Sequence, residues 1–151
     1  MPDDLDTIDR LIRALAEYER LQDQVTLDRA ELGGFLFGRR PYAEVLIAED
    51  DGGACGFALF FHNFSTFVGR PGIYLEDLFV LPDRRSHGIG RALLKRLAEI
   101  AVERNCGRLE WVVLDWNTDA IGFYERLGAR PNSEWTTYRL AGEALARLAA
   151  H

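Results

Sequence analysis

The apolar positions of the first segment recur at helical spacing. Leu5, Ile8, Leu11, Ile12, Leu15 and Ala16 fall on one face, which predicts an amphipathic helix to about Glu19. Thr26 has N-cap chemistry and predicts a short second helix from there to Gly33 or Gly34. The period then changes. Glu44 to Glu49 reads as a strand, Asp50-Asp51-Gly52-Gly53 as a hairpin turn, and Ala54 to Phe64 as the returning strand. That return is apolar on both faces, as a central strand is. A loop from Ser65 to Gly72 leads to a third strand, Ile73 to Leu81, ended by Pro82. Helical spacing resumes from about Gly88 to Arg104, with Leu93, Leu94, Leu97, Ile100 and Ala101 inward and Gly107 as the stop. Leu109 to Leu114 reads as a strand. Thr118 to Leu127 reads as a helix closed by Gly128, Glu134 to Leu140 as a last strand, and Gly142 to Ala149 as a terminal helix. This order predicts a mixed α/β fold, α+β in its segregation, with a mixed central sheet and helices on both faces. A chain of 151 residues predicts a single domain.

Composition narrows the function classes. The net charge of −6 lacks the basic stripe that nucleic-acid binding requires, and solubility is its simplest role. Cys55 and Cys106 fit no metal-ligand spacing and sit in apolar stretches, so they read as small buried hydrophobes and no metal is expected. The acidic start, Met1-Pro2-Asp3-Asp4, has no apolar run behind it, and no run is long enough to span a membrane. The expectation is a cytoplasmic protein without a membrane partner.

The most informative stretch is Arg85-Ser86-His87-Gly88-Ile89-Gly90-Arg91, which follows a strand and opens a helix. Glycines there let the backbone approach an anion, and the free N–H groups and positive helix end hold phosphate oxygens. No Lys-Ser/Thr follows the second glycine, and Leu93 stands where a dinucleotide fingerprint has its third. Taken alone, the segment fits a phosphate loop or a turn with no ligand equally well.

With Asn117 near the start of a later helix and Phe123-Tyr124-x-x-x-Gly128-Ala129 at its end, the pattern resembles the GNAT acetyltransferase superfamily. Tyr74-Leu75-Glu76-Asp77-Leu78-Phe79-Val80, Leu114-Asp115-Trp116-Asn117 and Gly142-Glu143-Ala144 make it most similar to the diamine (spermidine/spermine-type) and thialysine branch. The likeness runs from about Ile8 to Leu148. It implies acetyl-CoA as co-substrate, a small-molecule amine as acceptor, and a homodimer. Trp135, Thr137 and Tyr138 in the last strand suit the pairing a dimer needs.

By position, the resemblance implies that backbone groups of Leu78, Phe79 and Val80 pair with the pantetheine arm and polarise the thioester. Arg85, Ser86, His87, Gly88, Ile89, Gly90 and Arg91 cradle the pyrophosphate. Asn117, Thr118, Asp119 and Ala120 line the rest of the channel. Tyr124 serves as general acid. Tyr18, Glu19, Glu76, Glu110, Trp111 and Val112 face the amine.

The residues' own chemistry agrees. An alkyl ammonium with pKa near 10.4 is about 0.1% neutral around pH 7.4, so a base is needed, and Glu76 is placed to serve directly or through water. Alternation puts Glu76 and Asp77 on opposite faces, so they do not share one role. Glu76 also fits as the partner of a nearby arginine, and Tyr124 as a packed aromatic. His62 and His87 read as surface or loop residues, and Trp111 and Trp116 as core and channel wall.

The pattern departs from the family at three places. Ser86 stands where most members have glycine and needs a negative φ. The strand that usually precedes the first helix has no counterpart. Ser65 stands where polyamine enzymes keep an acid, which favours thialysine over spermine. A protein or peptide N-acetyltransferase and a non-catalytic CoA-binding module are the competing readings.

Overall fold

Helix α1 runs from Leu5 to Tyr18 and buries Ile8, Leu11, Leu15 and Ala16, as its spacing predicts. These positions come from a computed structural model that describes residues 1–150. Ahead of α1 is only a 3-10 turn at Pro2–Asp4, and no strand. Helix α2 spans Arg29–Phe37. Its cap is Asp28, not Thr26: the Asp28 carboxylate accepts from the Glu31 N–H at 3.0 Å. It also continues past Gly33 and Gly34 to end at Gly38. Gly33 lies against Leu5, where an added Cβ would come within 2.9 Å of a Leu5 methyl, so this glycine serves helix contact and is not a stop.

Strands β1 (Glu44–Asp50), β2 (Gly53–Ser65), β3 (Arg70–Val80) and β4 (Leu109–Trp111) form one sheet in that order. The first two pairings are antiparallel and β3–β4 is parallel. The β1–β2 turn forms where expected. Asp50 accepts from the Gly52 N–H at 2.8 Å, and Gly53 has φ 100°, a value that favours glycine. Helix α3 spans Ile89–Glu103 with the five inward residues named above buried.

The two sheet faces carry separate packing. Leu11 and Leu15 of α1 bury Phe57 and Phe79, with Leu59, Val45 and Leu81 at the margin. The alternate positions Ala58, Phe60, Ile73 and Leu75 are buried too, and α3 contacts all four strands. Each fully buried Leu, Ile or Phe side chain among them is worth about 1.5–3 kcal/mol against exposure.

The chain divides into two compact units, Met1–Val112 and Val113 onward. The second holds α4 (Thr118–Arg126) and α5 (Gly142–Ala150). Two strand expectations need correction. The strand starting at Leu109 ends at Trp111, not Leu114, and residues 134–140 form no strand. Their pattern suits a ladder, but strand propensity acts through packing against neighbours. All of residues 130–143 are exposed.

Candidate active site

The site begins with an irregularity in β3. Leu59 of β2 stands opposite Asp77, and the next residue, Phe60, stands opposite Leu75. Glu76 is the extra residue of a β-bulge, which bends a strand and re-aims its side chains. Strict alternation therefore fails between Leu75 and Asp77. Glu76 is exposed, whereas Asp77 is half-buried across from Leu59, on the face that α1 covers.

Glu19, the residue that ends α1, completes a group of three carboxylates. Burial pushes the Asp77 carboxyl up to about 7, and the charges of Glu76 and Glu19 add to the rise. Burial also raises Glu19 above the usual carboxylate range. Asp77 is the residue that sequence reasoning missed. Its signal was present: two adjacent carboxylates within a strand otherwise apolar on both faces cannot both be accommodated without a bulge or a pocket.

Beyond the bulge, β3 has a neighbour on one side only. The β3–β4 pairing covers Ile73–Leu109, Tyr74–Glu110 and Leu75–Trp111 and then stops. Leu78, Phe79 and Val80 pair with β2, so the polar groups on their other edge have no ladder to satisfy them. The Val80 carbonyl is partly used. It accepts from Arg85 Nε at 3.0 Å, while the guanidinium lies 4.2 Å from the Tyr18 ring centre and 5.6 Å from that of Phe79. The Arg85 side chain therefore ties the start of the loop to β3 and α1, and the loop's backbone is what remains for an anion.

That backbone is suitably shaped. Gly88, at φ 77°, is the N-cap of α3, and neither a side-chain cap nor an acidic residue occupies the first turn. The first intrahelical bond of α3 is Ala92 N–H to Gly88 O at 2.9 Å, so the N–H groups of Ile89, Gly90 and Arg91 point out of the helix end. Ser86 has φ 68°, against the negative value expected for a serine there. The loop keeps the left-handed shape that glycine would take, at a cost to the serine. His87 is exposed within the same loop.

Tyr18 is half-buried at the end of α1, 6.0 Å from Phe79 between ring centres. Glu110 and Trp111 lie half-buried on β4, with Val112 exposed just after it. In the second unit, Asn117 caps α4 by accepting from the Ala120 N–H at 3.3 Å, with Thr118 and Asp119 exposed in the first turn. Tyr124 lies within α4, 5.7 Å from Phe123 between ring centres.

His62 lies within β2 and is exposed, as a surface residue is. It is nonetheless engaged: Nδ1 is 3.0 Å from the Gly72 carbonyl and Nε2 receives an Arg104 N–H at 2.9 Å, which assigns the proton to Nδ1. Cys55 is fully buried as expected, but Cys106 is only half-buried.

Comparison with known proteins places this geometry. The profile of the Acetyltransferase (GNAT) family matches residues 6–129. Thialysine N-epsilon-acetyltransferase of Sus scrofa is 41% identical, over 97% of this chain and 92% of that one. L-ornithine N5-acetyltransferase of Arabidopsis thaliana is 32% identical, over 95% of this chain and 83% of that one. Among solved structures, an integron cassette protein from the mobile metagenome of V. cholerae superimposes with a TM-score of 0.81 at 30% identity, covering 97% of this chain and 91% of that one.

Proposed function

The chain belongs to the acetyltransferase (GNAT) family, and from that premise we propose that it moves the acetyl group of acetyl-CoA to the primary amine of a small molecule. Thialysine, a lysine-like amino acid or a diamine is the acceptor. The observation that carries this reading is the carboxylate group at the bulge: Asp77, raised to about 7, beside Glu76 and Glu19. Relatives named for thialysine and L-ornithine acetylation support the choice of amine.

Acetyl-CoA supplies an activated thioester, and the residues fit it. The uncapped start of α3, with the loop backbone from Ser86 to Arg91, would hold the pyrophosphate. The open edge of Leu78–Val80 would receive the pantetheine amides and polarise the thioester carbonyl. Glu76 and Glu19 hold the incoming ammonium. Asp77, half-buried and ionising near neutral pH, takes the proton, directly or through water. A base with pKa near the working pH serves best. By the family resemblance, Tyr124 would give a proton or hydrogen bond to the departing thiolate, and Asn117 to Ala120 would line the channel.

The same reading makes the enzyme cytoplasmic and homodimeric. Free thiols at Cys55 and Cys106 support the first. The exposed Trp135 and Tyr138 support the second, and a mass from light scattering at micromolar concentration tests it.

Free CoA release with thialysine, lysine, putrescine, spermidine and spermine tests the reaction. Thialysine is expected to lead and spermine to trail. A sulfur two carbons away lowers the amine pKa, and Ser65 offers no charge to a long polycation. Release with none of these amines would overturn the proposal.

A further inference from the structure

Next to the carboxylates at the bulge, the α1-covered face of the sheet continues into a polar strip that takes in Glu110, one of the residues expected to face the amine. Phe61 pairs across with Tyr74, and Tyr74 with Glu110, so the three lie in one row over β2, β3 and β4. The Phe61 and Tyr74 rings are 5.2 Å apart between centres. Burial raises the Tyr74 phenol, and the charges of Glu76 and Glu110 raise it further.

Glu110 is held in one orientation. Asn63 Nδ2 donates to its Oε1 at 3.1 Å, and Arg108 Nε lies 2.8 Å from the same oxygen. The other oxygen, Oε2, carries neither contact. Arg108 spends only Nε on the pair, and its side chain is nearly half exposed. Gly72 leaves room for this arrangement. A Cβ there would fall 2.4 Å from Asn63 Oδ1 and 3.2 Å from Arg108 Cγ.

We propose that Glu110 and Arg108 form the subsite for the end of the substrate remote from the reacting amine, and that they select an α-amino-acid head group: its ammonium on Glu110, its carboxylate on the Arg108 guanidinium. The inference rests on the acetyl-transfer reading above and deepens it. An amino-acid head is a fixed pair of opposite charges, and here a fixed pair of opposite charges faces it. Residues two apart along a strand are separated by about 6.6 Å and neighbouring strands by about 4.8 Å, so Glu76 and Glu110 stand about 8 Å apart at the backbone. A short dibasic amino acid spans that gap, with its methylenes over the Phe61–Tyr74 pair. A monoamine leaves the far pair unused, and a diamine engages Glu110 alone.

Three acceptors with the same reacting end separate the parts: thialysine, its decarboxylated diamine, and the monoamine with an ethyl group in place of the head. In Glu110→Gln, KM should rise about tenfold for thialysine and the diamine, the scale of one charge-assisted hydrogen bond, with kcat little changed. In Arg108→Gln, KM should rise comparably for thialysine alone. The monoamine, with no carboxylate for Arg108 to hold, should keep its KM in Arg108→Gln and so reports an intact site. Equal losses for all three acceptors, or unchanged ratios among them, would overturn the inference while leaving acetyl transfer standing. Absence of CoA release from the wild-type enzyme with all three would overturn acetyl transfer and, with it, the subsite.

Discussion

Replacing Asp77 by asparagine tests the centre of the site in two independent ways. Burial, then Glu76, then Glu19 hold the carboxyl near 7 in the folded protein, against about 3.9 for a free aspartate. The folded pKa is raised, so the group costs stability in its charged form. Below about pH 4 both states are protonated and there is no cost. Between about 4 and 7 the unfolded chain ionises first, and stability falls as pH rises. Above about 7 the cost is complete. Three units at about 1.4 kcal/mol each give a ceiling of about 4 kcal/mol, and local relaxation should leave about half of it. Asp77→Asn removes the titration while keeping the shape. Urea unfolding should show the variant matching the wild type near pH 4 and exceeding it by about 2 kcal/mol at pH 8. In activity, kcat/KM should fall and the rise of rate through pH 7 should disappear. Parallel stability curves for the two proteins from pH 4 to 8, or an unaltered pH–rate profile, would refute the assignment.

Ser86→Gly should raise the thermal midpoint. The left-handed conformation costs a serine about 1–2 kcal/mol, and the entropy of glycine returns about half of that to the unfolded state. A lower midpoint would mean that the hydroxyl holds the loop. Gly88→Val forces a β-branched residue to φ 77° at the cap of α3 and should abolish acetyl-CoA binding by calorimetry in a chain that stays folded by circular dichroism. Full affinity would place the pyrophosphate elsewhere. Tyr124→Phe removes one hydroxyl and should lower kcat by about 10- to 1000-fold with little change in acetyl-CoA affinity. A wild-type kcat would leave Tyr124 a packing residue.

Much of the fold was legible because burial imposes a period. Leu11 and Leu15 on α1, and Leu93, Leu97 and Ile100 on α3, are buried as their spacing required. The hairpin at Asp50–Gly53 was legible because its chemistry is local. What escaped depends on neighbours that a single segment does not contain. The start of α2 passed from Thr26 to Asp28 because only the latter reaches the Glu31 N–H. Residues 134–140 have the composition of a strand, but a strand exists only with a ladder. Gly33 looks like a stop in isolation and proves to be a contact with Leu5. In the site, the glycine-rich opening of α3 was legible from residue type. Asp77 was signalled only by the pair of adjacent carboxylates, because its burial follows from a register slip that periodicity assumes away.

That slip joins the two halves of the site. The parallel pairing of β3 with β4 ends at Leu75, and the unpaired residue of the bulge is the next one, Glu76. A bulge adds twist and bend to the strand that carries it. One extra residue thus coincides with the end of pairing along the Leu78–Val80 edge and with the burial of Asp77 where the charges of Glu76 and Glu19 act on it. A straight strand would satisfy that edge with a neighbour and send the two carboxylates to opposite faces, one of them into the layer of Phe60 and Leu75 beside α3. The cost of withdrawing Asp77 from water is supported by the packing around it, where Leu11, Leu15, Phe57 and Phe79 hold α1 against the strand. The hydrophobic core is therefore what holds the Asp77 pKa near 7 beside the exposed Glu76, and stability and base strength at this position are set by the same contacts.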